Sequence, residues 1–123
     1  MMKVVHSLIA ALALGSSMAM AECVQPETPS LPDGASATMD EMIAGQQAVK
    51  TFQDANLEYM GCLEGEFTAA KKQIEGGKSK DAKALQAAYE KSVDAYNDAV
   101  STEEEVAGQF NTEIREFRAA NPS

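Results

Sequence analysis

Tryptophan is absent from this chain of 123 residues, and histidine occurs once, at His6. Beyond residue 6 there is therefore no imidazole to act as a general base, to activate a Ser or Cys nucleophile, or to ligate zinc or copper. Cysteine occurs twice, at Cys23 and Cys62. The wide spacing rules out a C-x-x-C redox pair and the C-x-x-C-H attachment of a covalent haem. Gly-rich phosphate loops, a G-x-S-x-G elbow and EF-hand spacing are also missing. Positive charge is scarce: 10 Lys plus Arg stand against 19 Asp plus Glu, a net charge of −9 at pH 7. Such a surface repels phosphate backbones and anionic lipid headgroups, which argues against nucleic-acid or membrane-surface partners. The apolar stretch from Val4 to Leu14 falls short of the roughly 18–20 residues that cross a bilayer.

What the chain does have begins at its N-terminus. Lys3 and His6 open a segment that turns apolar from Val4 to Leu14 and ends in Ala19-Met20-Ala21. This order predicts a secretory signal peptide over residues 1–21, cleaved between Ala21 and Glu22. Glu22 separates Cys23 from the small residue that lipid attachment would need, so the expected product is a soluble periplasmic or secreted protein. Removing residues 1–21 leaves 102 residues with a net charge of −10, enough for one small domain. Met39, Met42 and Met60 are the methionines that remain, at positions that fit a helix core.

Residues 22–37 contain Pro26, Pro29 and Pro32, then Asp33-Gly34. Proline at every third position favours an extended path, and Asp-Gly marks a turn. Thr38-Met39-Asp40-Glu41 reads as a capping box. Apolar groups then recur at helical spacing through Met42, Val49, Phe52, Tyr59, Leu63, Ala70 and Ile74, until Gly76-Gly77 stops the helix and Ser79 offers the next N-cap. In the following segment Tyr89, Tyr96, Phe110 and Phe117 share one heptad position, interrupted by Glu103, and Val93, Val100, Ala107 and Ile114 share another. The expectation is an all-α fold: a long antiparallel hairpin of helices at about 38–76 and 79–119, within a unit spanning 38–120, with a Pro-rich strap over 22–37. A short loop at Gly77 pairs residues whose numbers sum to roughly 155. That register sets Gly45 beside Phe110, Phe52 beside Glu103 and Tyr59 beside Tyr96.

In an oxidising compartment the two cysteines predict one intramolecular disulfide, with intermolecular pairing as the alternative. The strap is long enough to turn at Asp33-Gly34 and run back along the first helix to Cys62, since 15 residues in polyproline geometry reach roughly 46 Å and 24 helical residues rise roughly 36 Å. Closing this loop is worth about 3–4 kcal/mol in the chain-entropy treatment.

Carboxylates are abundant, but Glu103-Glu104-Glu105 and Glu64 with Glu66 point in divergent directions on a helix, so they read as solvated charge. No catalytic residue, metal-ligand set or cofactor is expected, and the chain does not read as an enzyme. The expected role is contact with protein partners in the cell envelope, by self-association or with another envelope protein, through apolar residues flanking the seam: Ile43, Met60, Phe67 and Leu85. The alternative is an acidic carrier of cations, basic peptides or a small apolar ligand held between strap and helices.

Cys23, Pro29, Pro32-Asp33-Gly34, Thr38, Glu41-Met42, Phe52, Tyr59 and Cys62-Leu63, continuing through Val106-Ala107, Phe110-Asn111, Ile114-Arg115 and Phe117, form a pattern over most of residues 23–118. It resembles a family of small exported helical proteins of proteobacteria. The resemblance implies a periplasmic location and carries no assigned activity.

Overall fold

The computed structural model describes residues 22–77 and 80–123. The expected signal peptide, the Ala21 side of its cleavage site and the Ser79 cap lie outside these residues. Two helices follow an extended strap: α1, Met39–Gly76, and α2, Ala82–Ala120. At 1.5 Å per residue each is close to 60 Å long. Neither is long and apolar enough to cross a membrane.

Local chemistry sets the helix ends. The Glu41 amide donates to Thr38 Oγ1 at 3.2 Å, and the Thr38 amide donates to Glu41 Oε2 at 3.4 Å, completing the expected capping box. Asp40 and Glu41 add negative charge to the first turn, where the helix dipole favours it. α1 stops at Gly77, whose φ of 63° is the left-handed cap that glycine adopts without a Cβ penalty. α2 ends at Asn121, whose amide and side-chain Nδ2 both donate to the Phe117 carbonyl, at 3.0 and 2.9 Å. Pro122 follows and cannot continue the helix.

The helices pack antiparallel in the expected register. A Cβ built on Gly45 would stand 3.2 Å from the Phe110 ring, and Asn56 Nδ2 donates to the Ala99 carbonyl at 3.0 Å. Both pairs sum to 155. The phase of α2 differs by one residue along half of its stripe. Ser92, Ala99, Val106 and Phe110 are buried, whereas Val93, Val100, Ala107 and Ile114 are half-buried on the flank. At 92 and 99 a small residue takes the inner position and the bulkier valine the edge, whereas at 106 and 107 the order of size is reversed. Ser92 loses little by burial, because its hydroxyl reaches the Ala88 carbonyl at 2.9 Å and Glu66 Oε2 at 3.3 Å. Glu103, on the same stripe as Phe110, is only half-buried.

The strap forms a third layer. The Cys23–Cys62 disulfide is present, with Cα atoms 5.6 Å apart, so the strap runs antiparallel to α1 from residue 62 back to its start. Pro32 fills the notch at Gly45, where a Cβ would meet its Cδ and Cγ at 2.7 and 2.9 Å. Gly45 thus makes room first for the proline and second for Phe110. Asp33 then organises a turn, its carbonyl accepting from the Ser36 and Ala37 amides at 3.1 and 2.8 Å and its carboxylate from the Ala35 amide at 3.1 Å. Gly34 lies against α2 so closely that a methyl group there would overlap the Glu113 carbonyl. Leu31 and Ala37 join Met42, Val49, Phe52, Val106, Phe110, Ile114 and Phe117 in the core at this open end of the hairpin.

Two outcomes follow from this packing. Replacing Cys23 and Cys62 together by Ala removes up to about 3–4 kcal/mol, yet Leu31, Pro32 and Gly34 stay docked by their own contacts. Limited proteolysis is expected to cut within 22–30 while circular dichroism keeps both helices. Asn56→Ala leaves the register link unmade and costs about 1–2 kcal/mol, read as a lower midpoint in urea with an unchanged slope.

Candidate binding site

The four residues expected to form an interaction surface do not form one patch. Met60 is 7% exposed and belongs to the interior, because position 60 falls on the buried stripe of α1 with Asn56 and Leu63. Phe67 is half-buried and meets the Tyr89 and Tyr96 rings edge-on, with centroids 6.3 and 5.8 Å apart. Such T-shaped pairs are a packing arrangement of the seam. Leu85 is half-buried near the loop. Ile43 alone stands out, 46% exposed, at the opposite end of the hairpin, about 36 Å of helix from Phe67.

Ile43 borders an apolar groove. This groove, of about 460 Å³, is lined by Met39, Met42, Ile43 and Gln46 of α1 and by Phe110, Ile114, Phe117, Arg118 and Asn121 of α2. Its origin is architectural. The antiparallel register brings Met39 to Phe117 and Ile43 to Ile114 at the open end. The strap covers only the other flank there, where Pro32 sits over Gly45 beside Ala44 and Ala48. The flank holding Ile43 has no third layer, so Met39 remains 59% exposed. The volume falls within the roughly 300–1,000 Å³ range of small-molecule sites. Past Gln46, Phe110 and Ile114 the depression continues into a more polar stretch bordered by Lys50, Gln53, Asp54 and Asn111. No carboxylate lines the apolar part, and Arg118 is its one charged residue.

The hydrophobic spacing of α1 and α2 marked Met42, Phe110, Ile114 and Phe117 as seam residues. Met39, Gln46, Arg118 and Asn121 carried no functional signal in sequence, because their common location depends on which flank the strap leaves bare. The paired register sums of 156 and 157 at Met39–Phe117 and Ile43–Ile114 were the available clue.

On the strap side of α2 the carboxylates of Asp33, Glu113 and Glu116 come within 4.8 Å of one another. Their arrangement serves the docking of the turn. Glu113 Oε2 accepts from the Gly34 amide at 2.7 Å, and Oε1 accepts from Gln109 Nε2 at 2.9 Å. The Gly34 bond, with Gln109 and Glu116 adding to it, holds the Glu113 carboxyl below its ordinary value of 4.5, against a smaller opposing effect of burial. Glu116 moves the other way: the Glu113 charge, then their shared hydrogen bond, partial burial and the Asp33 charge raise it. A second set, Cys23, Cys62 and Glu66, clusters only because the disulfide lies beside Glu66.

No protein family, curated protein or solved structure matches this chain.

The two carboxyl shifts have opposite consequences for stability. The Glu113 contribution is complete above the ordinary carboxylate range and is lost as pH falls below 4.5 through its lowered value. The Glu116 repulsion is present at neutral pH and is relieved as pH falls through its raised value, above 4.5. Docking of the turn is therefore tightest in mild acid, between the two titrations. In thermal melts across pH, Glu116→Gln is expected to raise the midpoint at pH 7 and to abolish the gain on mild acidification, leaving only the acid-side loss.

Proposed function

We propose that the protein is an exported, non-enzymatic binding protein of the periplasm that holds a small apolar ligand in the groove at the open end of its hairpin. The supporting observation is the uncovered apolar lining of that groove, in which Met39 and Ile43 are exposed, Ile114 and Phe117 half-buried and Phe110 buried, without a carboxylate among them. Export rests on the signal pattern of residues 1–21 and agrees with the Cys23–Cys62 disulfide, which an oxidising compartment forms and keeps. The geometry favours a small ligand over a protein partner. A stable protein interface engages about 20–30 residues a side, whereas this groove has nine lining residues and the other flanking apolar groups lie far along the helices.

The reading is tested with Nile red, a neutral dye whose emission rises in apolar surroundings. Saturable one-to-one binding is expected, displaced by decanol and weakened about tenfold by Ile43→Asp, with sedimentation showing a monomer throughout. Unsaturable dye uptake, or full affinity in Ile43→Asp, overturns the assignment. A dimer that dissociates in Ile43→Asp would overturn it in favour of self-association.

A further inference from the structure

We infer that the ligand of this groove is an apolar chain ending in a single carboxylate, with Arg118 receiving the carboxylate. The inference rests on the groove being a ligand site and adds the chemistry of the head group.

The charge distribution carries it. The chain has nearly twice as many acidic as basic residues, and other depressions of its surface include carboxylates, among them Asp54, Glu41 and Glu66. This one includes none, and the single charge on its rim is a guanidinium. The Asp33–Glu113–Glu116 cluster occupies the opposite flank of α2, turned toward the strap. Arg118 is exposed and makes no hydrogen bond or ion pair among the described residues. Its fork of donors is thus uncommitted, and that fork matches the two oxygens of a carboxylate. Behind it the wall runs through Phe117, Ile114 and Phe110 to Met42, a continuous apolar surface for the chain. Farther along, Lys50 and Asp54 border the neighbouring depression together, so the far end favours neither sign.

Magnitude decides how strong the preference is. The net charge of the protein works against any anion at long range, and Arg118 sits in water rather than in a dry pocket. One exposed ion pair therefore supplies selectivity of about fivefold, not a hundredfold. Most of the affinity comes from the apolar chain.

The experiment compares dodecanoate, dodecanol and dodecyltrimethylammonium by calorimetry, each below its micelle concentration, on the wild-type chain and on Arg118→Gln and Arg118→Lys. The expected order is dodecanoate about fivefold tighter than dodecanol, with the cationic amphiphile weakest. Arg118→Gln should bring dodecanoate to the level of dodecanol while leaving dodecanol unchanged, and Arg118→Lys should keep part of the preference. Equal affinity for all three overturns the head-group assignment and leaves the apolar site standing. A carboxylate preference that survives Arg118→Gln also overturns it. Binding of none of the three removes both readings together.

Discussion

Two helices laid side by side each bury one stripe and leave the rest to water, so a hairpin of this length has little interior to draw on. The close approach of the strap is what enlarges it. Pro32 enters a notch that exists only because residue 45 is glycine, and Gly34 comes against the backbone of α2 where any side chain would collide. On either side of these two contacts Leu31 and Ala37 join the cluster of Met42, Phe52 and Phe110, and the open end gains a core with three contributing segments. The disulfide holds the far end of the strap on α1, but the two glycines decide how near it can lie. Cross-link and close packing act on different parts of the same sixteen-residue segment.

Much of this was legible in the sequence because it is local or arithmetic. The capping box depends on residues three apart, the stop on a glycine able to take a positive φ, and the antiparallel register on the position of one short loop. Burial phase was less legible. Choosing between Ser92 and Val93, or between Ala99 and Val100, requires knowing how closely the helices approach, and hydropathy alone points to the valines. Asn56 was missed for a related reason: it lies at seam spacing, but a polar residue there reads as a defect until its partner, a backbone carbonyl on the facing helix, is known. Buried polar groups of this kind specify alignment rather than add much net stability.

The candidate site shows where reading by element ends. Ile43, Met60, Phe67 and Leu85 were grouped because each flanks the seam on a helical wheel. A wheel carries no information about which flank a third segment covers, nor about distance along the axis. In three dimensions Met60 is interior, Phe67 is engaged by two tyrosines, and Ile43 faces a groove whose other walls come from the last turns of α2. The asymmetry created by the strap, covered on the Gly45 side and bare on the Ile43 side, is what makes a groove out of two ordinary helix edges.

The Cys23–Cys62 bond closes a covalent ring made of the strap and the first 24 residues of α1. α2 is not part of that ring; it hangs from it by the last turns of α1 and the loop. Topologically the second helix can peel away and return without threading anything, while the ring keeps Pro32 in reach of Gly45. The protein thus divides covalently into a closed ring and a single helical arm that supplies one wall of the groove and part of the core. Opening the groove fully and unfolding the second helix from the first are, on this topology, stages of the same movement.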